Sequence, residues 1–237
     1  MSDLAPDAAL YGKVADAISK GNCVFVLGAG ASLDPGLRPS DRCWKPGSSL
    51  LPTGDELNQH LAKSFNISIR DQNECGLCEI KAVADREIEV PDEAIRKCKA
   101  ALPLERTSAL CADREKLEKT LDSIFRNDAA SPLKVHLWLA ALSPPAPLIV
   151  TTNYDELIEK AFQRVHPKFN LLVYSGSRRS LWRSETLHLK LPQQREFEIR
   201  TTESIEMHEI EGCTTVFKIH GTAGGHYVVS EDDYYDM

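Results

Sequence analysis

The stretch from residue 147 to residue 160 constrains the fold of this chain more than any other part of the sequence. It opens with a short apolar run that is typical of a buried parallel strand: Leu148, Ile149 and Val150. Polar residues follow at once, and apolar residues then recur at helical spacing, at Leu157, Ile158 and Ala161. A strand, a polar turn and a helix in this order predict an α/β fold with a mostly parallel sheet.

The polar turn, residues 151–155, stands where ligands bind in open α/β sheets, just beyond the carboxyl end of a strand. Thr152, Asn153 and Asp155 are therefore candidate ligand-binding residues. A structural explanation remains open, because Thr151 or Asn153 could simply cap the helix that follows.

A second strand with an unusual end lies near the N-terminus. Residues 23–27 form an apolar run, and a turn of small residues follows directly, including Gly28, Ala29, Gly30 and Ser32. Glycines after a strand let backbone N–H groups come close to a phosphate. The usual dinucleotide fingerprint is incomplete, because Leu33 occupies the place of its third glycine and residues 34–52 contain no second strand. A tight turn without a ligand is the alternative.

The rest of the chain adds further elements. Three more segments have the pattern of strands, residues 170–174, 214–219 and 226–229. Residues 175–200 are polar and are predicted to be irregular. Between the first two strands the chain is charged and helix-prone, so we expect a helical insert at about residues 66–130. Thr53 and Glu56 form a capping box, which predicts a helix just before this insert.

The predicted strand at 214–219 also ends in groups that can do chemistry, His220 and Gly221. A histidine with its ordinary pKa of about 6.5 can act as a general base near neutral pH. On its own, His220 could equally be a structural histidine at a strand end. Three strands that end in such groups predict that their carboxyl ends line one cleft.

Composition narrows the function classes. The chain has 237 residues, of which 42% are hydrophobic, enough for one α/β domain with a helical insert. Its formal net charge is -7 and it contains no basic run, which argues against direct nucleic-acid binding. The sequence shows no N-terminal signal peptide and no apolar run of ~18 residues, so we expect a cytoplasmic protein without a membrane partner.

The cysteines favour reduced thiols over a metal site. Seven cysteines are scattered through the chain, which is typical of a cytosolic protein. The closely spaced pair Cys75 and Cys78 lies in the predicted insert, and Cys98 and Cys111 follow at irregular spacing, unlike the paired knuckles of a zinc site. We therefore expect no bound metal.

Together, the three strand ends resemble the sirtuin superfamily, and specifically its bacterial branch of NAD-cleaving domains that are not deacetylases. The shared motifs are Gly-Ala-Gly-x-Ser at 28–32, Thr-x-Asn-x-Asp at 151–155 and His-Gly at 220–221. The resemblance implies a Rossmann-like fold with helices on both faces of the sheet, and one NAD-binding domain over residues 1–237. Deacylases of this superfamily hold a structural zinc on cysteines after the His-Gly motif, but no cysteine follows His220 here. The later strands of the family are absent before Met237, so we expect the N-terminal part of a larger protein.

The same resemblance implies an activity and a role for each motif. The activity is that of an NAD+ glycohydrolase, with NAD+ as substrate and no metal. Asn153 and His220 would be catalytic, Asn153 by holding a ribose hydroxyl or a water and His220 as the general base. Asp155 would accept a hydrogen bond from the nicotinamide amide. The residues implied in binding NAD+ are Gly28, Ala29, Gly30, Ser32, Thr152, Asn153, Asp155 and Gly221.

The resemblance also implies a biological setting, in which the domain depletes NAD+ as an effector of a bacterial antiphage defence system. Self-assembly or a partner or sensor domain would trigger it. We expect the loop at residues 34–52 to cover or misalign the cleft until assembly orders it. Two other functions remain open, an NAD-dependent protein deacylase and a non-catalytic module that senses NAD+ or ADP-ribose.

Overall fold

The computed structural model describes residues 8–37, 44–67, 104–175, 186–192, 194–230 and 233. Its strands are β1 (Val24–Leu27), β2 (Leu148–Thr151), β3 (Phe169–Tyr174), β4 (Thr186–Lys190), β5 (Glu198–Thr201) and β6 (Thr214–Lys218). They form one sheet in the order β1-β2-β6-β3-β4-β5. The α/β class predicted from the sequence is confirmed.

The centre of the sheet is parallel. β2 pairs with β1 on one side and with β6 on the other, and β6 also pairs with β3, each time in parallel. The register places Val24 beside Leu148, and Leu148 beside Thr215. The carboxyl ends of β1, β2 and β6 therefore lie at one edge of the sheet, as the mostly parallel, Rossmann-like prediction requires.

Beyond β3 the sheet continues into a hairpin that the sequence did not predict. β4 pairs with β3 and β5 pairs with β4, both antiparallel. The expectation of irregular structure at 175–200 was therefore wrong for β4 and β5. Buried Leu187 and Leu189 alternate with partly exposed His188 and Lys190, a strand pattern that is too short to be distinctive on its own. The strand forms because its inward side chains pack when it pairs with β3.

Seven α-helices lie in the described ranges: α1 (Ala8–Ser19), α2 (Gly54–Ser64), α3 (Leu104–Ala109), α4 (Arg114–Phe125), α5 (Lys134–Ala140), α6 (Leu157–Val165) and α7 (Met207–Ile210). The helix α2 begins at the predicted capping box. The Thr53 hydroxyl accepts from the N–H of Glu56 at 3.2 Å, and the Glu56 carboxylate accepts from the N–H of Thr53 at 2.7 Å.

The helices α5 and α6 pack against each other and against the central strands. The apolar core that they share with the sheet includes Leu139, Ile149, Ile158, Phe162 and Val216. A smaller cluster lies against β3 and β4 and contains Tyr174, Leu187 and Val228. The helices α5 and α6 thus pack against β2 and β6. These are the two strands whose ends carry the second and third motifs.

The described part of the predicted insert contains α3 and α4. A separate apolar core joins α4 to α2 and to residues that follow β2 and β6: Leu57, Leu61, Leu117, Leu121, Tyr154 and Tyr227. The helix α4 therefore packs near the carboxyl edge of the sheet. Residues 68–103, including Cys75 and Cys78, lie outside the described residues, so the boundaries of the insert stay a prediction.

The prediction of a short strand at 226–229 was wrong. Gly221, with a φ of +84°, reverses the chain, and Gly221 and Tyr227 form an isolated antiparallel bridge. The N–H of Val228 then donates to the carbonyl of His220 at 2.9 Å, so this segment returns to the end of β6 without joining the sheet. None of the helices within the described ranges is long and apolar enough to cross a membrane.

Candidate active site

The three motifs begin side by side at one edge of the sheet, with β2 between β1 and β6. The N–H of Thr152 donates to the carbonyl of Leu27 at 3.1 Å, and the N–H of Ile219 donates to the carbonyl of Thr151 at 3.0 Å. These two bonds extend the strand pairing by one residue on each side of β2. They hold the polar turn after β2 against the ends of both neighbouring strands.

A single hydroxyl connects the first motif to the second. The Oγ of Ser32 donates to Oδ2 of Asp155 at 2.8 Å, and Nδ2 of Asn153 donates to the same Oγ at 2.9 Å. Ser32 lies 121 residues from Asn153 and 123 residues from Asp155 in the sequence. These contacts bring three predicted site residues together and orient the amide and the carboxylate.

The glycine-rich turn after β1 is a short 3-10 helix, Ala29–Ser32, preceded by Gly28. A Cβ at Gly28 would lie 3.9 Å from Oγ1 of Thr152, whereas a Cβ at Gly30 would meet no heavy atom within 4 Å. The turn is therefore open beside Gly30 and adjoins the second motif beside Gly28. Backbone that is accessible in this way can approach an anion closely.

The hydrogen bonds at the start of α6 show which residue of the second motif caps that helix. Oδ1 of Asp155 accepts from the N–H of Leu157 at 3.0 Å, and the hydroxyl of Thr151 accepts from the N–H of Asn153 at 3.1 Å. Asp155, and neither Thr151 nor Asn153, thus supplies the side-chain bond at the helix start. The amide of Asn153 instead faces Ser32.

His220 is partly buried directly beyond β6. Burial lowers the pKa of its imidazole, so the ring is neutral at pH 7. Gly221 follows with a φ of +84°, and a Cβ there would stand 1.8 Å from the carbonyl oxygen of His226. Only glycine fits at this reversal, which sets the direction of the chain just after His220.

The helix α4 holds the segment that follows this reversal. The Asp122 carboxylate accepts from the N–H of Gly224 at 2.7 Å and from the hydroxyl of Tyr227 at 2.5 Å. Burial and this carboxylate raise the pKa of Tyr227, so the phenol stays protonated as a donor. The Arg114 guanidinium donates to the carbonyl of Tyr227 at 2.5 Å and to Asp233 at 2.8 Å.

Two charged residues beneath the site were missed at the sequence level. Lys218, at the end of β6, is fully buried, and its Nζ donates to the carbonyls of Asp155 at 2.5 Å and Tyr154 at 3.3 Å. It also donates to Oε1 of Glu159 at 2.7 Å. The sequence could have indicated Lys218, because it is a single lysine in an apolar strand. It lies two residues after Val216, so both side chains point to the same face of the sheet.

His136 on α5 was missed as well. It is 1% exposed, and its Nδ1 accepts from the N–H of Leu133 at 3.1 Å, which leaves Nε2 to carry the proton of the neutral ring. Burial lowers the pKa of His136, and the Asp155 carboxylate opposes that shift. The imidazole therefore lies within electrostatic reach of the site, a proximity that no short sequence pattern indicates.

The predicted site residues are thus brought to one edge, with Ser32, Asn153 and Asp155 in direct contact and His220 on the adjoining strand end. Their contacts with a ligand stay a prediction. In the part of the chain that the structure describes, no group of three histidine, cysteine, aspartate or glutamate side chains is placed to hold a metal ion. The predicted free pair Cys75 and Cys78 is outside that part.

Comparison with known proteins gives one family. Residues 147–237 match the family model described as a SIR2-like domain. The matched stretch begins at the approach to β2 and contains the second and third motifs, while the glycine-rich turn lies upstream and contacts it through Ser32. No curated protein matches the chain.

Proposed function

Since residues 147–237 form a SIR2-like domain and the chain is thereby assigned to the sirtuin-like superfamily, we propose that this protein is an NAD+ glycohydrolase. SIR2-like domains act in NAD-dependent catalysis, and the proposal adds that water is the acceptor. The observation that carries it is the shared hydroxyl of Ser32, because it joins the glycine-rich turn to Asn153 and Asp155. A dinucleotide needs one cleft that offers a phosphate turn at one end and polar side chains at the other.

The pyrophosphate of NAD+ would lie against the glycine-rich turn. Gly28, Ala29 and Gly30 expose backbone, and the open space beside Gly30 permits close approach of an anion. Thr152 adjoins this turn, so its hydroxyl would contact the same part of the ligand. Ser32 keeps the turn in register with the second motif.

The ribose and nicotinamide would lie over the second and third motifs. The carboxylate of Asp155 accepts a hydrogen bond from the nicotinamide amide, and Asn153 holds a ribose hydroxyl or the attacking water. His220 is the general base, and Gly221 lets the backbone turn away just beyond it. Asn153 and Asp155 are already oriented by the contacts described above, which favours catalysis because less ordering is needed on binding.

The reaction breaks the bond between C1′ of the ribose and the nicotinamide nitrogen, and the electron pair of that bond leaves with neutral nicotinamide. C1′ gains oxocarbenium character in the transition state, as in glycoside hydrolysis. A water oxygen bonds to C1′ and its proton passes to His220. Because burial lowers the pKa of His220, its imidazole is unprotonated at pH 7 and able to accept this proton.

Release of nicotinamide from NAD+ by the purified chain tests the proposal. We expect turnover without any added peptide, and a loss on the order of 100-fold or more in His220→Ala and Asn153→Ala. His208→Ala is the matched control, because His208 is exposed and makes a surface ion pair with Glu206. Full activity in His220→Ala would contradict the assignment of the base.

The same assay distinguishes the two alternatives. Turnover that requires an acyl-lysine peptide would identify a deacylase, and tight NAD+ binding without turnover would identify a sensing module. We further propose that NAD+ depletion is the output of the domain, as an effector of a bacterial antiphage defence system. A phage-challenge assay with the wild-type and His220→Ala chains tests that role, since only the active chain should lower cellular NAD+.

Control by assembly is the remaining part of the proposal. Trp44 packs edge-on against His60 at 5.5 Å between ring centroids, and Leu51 is 4% exposed, so the described end of the loop at 34–52 is attached to α2. A loop fixed at its end can still be reshaped by a neighbouring copy or partner. We expect the rate per chain to rise with protein concentration, measured with His220→Ala as the blank. A constant rate from nanomolar to high micromolar concentration would exclude self-assembly and leave a partner as the trigger.

A further inference from the structure

Lys218 is a buried cation placed between the two halves of the candidate active site. It is 0% exposed, and it is the last residue of β6, two residues before His220. The register sets it beside Thr151, the last residue of β2. Its ammonium group is therefore inside the protein, beneath the turn that carries Asn153 and Asp155.

Two of the three bonds made by this ammonium group go to the backbone of that turn. Nζ donates to the carbonyl oxygen of Asp155 at 2.5 Å and to that of Tyr154 at 3.3 Å. The third bond goes to Oε1 of Glu159, in the first turn of α6, at 2.7 Å. One side chain of the His220 strand thus contacts the backbone of the second motif and the helix that begins there.

We propose that Lys218 is a positioning residue, which fixes the distance and orientation between His220 and the turn of Asn153 and Asp155. The inference rests on the proposed function, because the distance between His220 and this turn matters only if both act on the same ligand. A general base and the groups that hold the ribose must stay in register to within a fraction of an ångström, and a shift of 1 Å can cost on the order of 100-fold in rate. A rigid charge-assisted bond across two elements supplies such a constraint.

An alternative is that Lys218 only neutralises Glu159. The geometry argues against it. Oε2 of Glu159 has no hydrogen-bond partner among the described residues, so the pair does not satisfy the carboxylate fully. The bonds to two backbone carbonyls do not depend on that charge. Val216 occupies the preceding inward position of β6 with no exposed surface, which shows that an apolar side chain fits this face of the strand.

Three variants separate positioning from charge balance. Lys218→Met removes all three bonds and leaves Glu159 buried without a partner. Glu159→Gln keeps the ammonium group and its two carbonyl bonds. The double variant Lys218→Met with Glu159→Leu replaces the ion pair by apolar groups of similar volume, an exchange that is often neutral for stability. Each is measured for kcat and KM with NAD+, for Tm, and for amide hydrogen exchange over residues 151–157.

We expect Lys218→Met to lower kcat on the order of 100-fold with little change in KM, and to accelerate exchange over 151–157. Glu159→Gln should retain most of kcat. The double variant should recover Tm relative to Lys218→Met while kcat stays low and exchange stays fast. Wild-type kcat and exchange in the double variant would overturn the proposal, because charge balance would then be the whole role of Lys218.

The exchange measurement keeps the two proposals distinguishable. If the wild-type chain releases no nicotinamide, the proposed function fails, yet faster exchange over 151–157 in the double variant still supports the constraint on the turn. If exchange over this turn is unchanged while all variants lose activity equally, positioning is overturned and the NAD+ glycohydrolase assignment is untouched.

Discussion

Replacement of Arg114 by methionine should destabilise the chain by loosening the segment that follows His220. The guanidinium of Arg114 is 18% exposed and donates to Asp233, whose side chain is 4% exposed, at 2.8 Å. It also donates to the carbonyl of Tyr227. Methionine keeps the apolar stem of the side chain but provides no donor, so Asp233 and the Tyr227 carbonyl lose their partner on α4. The partly exposed ion pair with Glu118 within α4 is lost as well.

The magnitude follows from these two bonds. Both bonds are made by the guanidinium cation, and a hydrogen bond to a charged group contributes about 1.5–3 kcal/mol, so the loss is roughly 3 kcal/mol at the lower end of that range. Asp233 keeps bonds from the N–H groups of Val229 and Ser230, which limits the cost of leaving it buried. For a chain of this size, each kcal/mol lowers Tm by about 2–4 °C, which predicts a fall of roughly 6–12 °C.

Thermal unfolding followed by circular dichroism measures this effect. Lys119→Met is the matched control, because Lys119 lies on the same helix and makes an ion pair with Glu115 in which both side chains are more than 70% exposed. Exposed pairs of this kind contribute little, so the control should leave Tm essentially unchanged. A fall in Arg114→Met no larger than in the control would refute the proposed role of α4.

Acid titration adds a second signature of the same contact. Burial alone would raise the pKa of Asp233, but the N–H groups of Ser230 and Val229 and the guanidinium of Arg114 outweigh it, and the pKa is lowered well below its usual range. A carboxylate with a depressed pKa stabilises the fold above its ordinary pKa of about 3.9, and that stability is lost as the pH falls further. The Tm gap between wild type and Arg114→Met should therefore persist down to about pH 4 and narrow only at lower pH, where Asp233 becomes protonated in the folded state. A constant gap would contradict this coupling.

Three other outcomes are expected. Gly221→Ala should abolish stable folding or lower Tm sharply, because its Cβ would stand 1.8 Å from the carbonyl oxygen of His226. The control Gly12→Ala in α1 should raise Tm slightly, because alanine favours a helix more than glycine does. Equal Tm values for the two variants would contradict the geometry at Gly221. Since burial lowers the pKa of His220, kcat/KM for NAD+ should be constant from pH 7 to 8 and decline only below pH ~6.5. An acidic decline of kcat/KM centred above pH 7 would exclude His220 as the base. Ser32→Ala should lower kcat by roughly tenfold to 100-fold with a small change in Tm, because it releases both site side chains, and unchanged kcat would show that the shared hydroxyl is dispensable.

The sequence predicted the four parallel strands because their signal is local. Apolar runs such as Leu148 to Val150 lie fully within the sheet, and each is followed at once by polar or glycine residues. The strand ends therefore marked the candidate site before any tertiary contact was known. The bond between Ser32 and Asp155 follows from that placement, since both motifs must reach the same edge.

The hairpin of β4 and β5 could not be predicted in the same way. Its strands have five and four residues, and Ile199 on the outer strand is 72% exposed, so the apolar pattern is weak. Pairing with β3 stabilises them, and that is a contact between segments that are separated in the sequence. A short strand whose inward side chains are few depends on its neighbour more than on its own propensity.

The bonds that hold the site depend on distant segments for a related reason. Hydrogen bonds from Arg114 and to Asp122 hold residues that follow His220 by several positions, although α4 precedes them by more than 100 residues in the sequence. Neither residue belongs to a motif, and both would pass as ordinary surface charges of an amphipathic helix. In the structure, however, the segment returns from Gly221 to His220 through Val228, and α4 fixes that segment from outside. A displacement of α4 must therefore break these bonds or move the residues behind His220 with it. The position of α4 and the position of the candidate general base are in this way coupled through hydrogen bonds. The insert is therefore not an independent addition to the sheet.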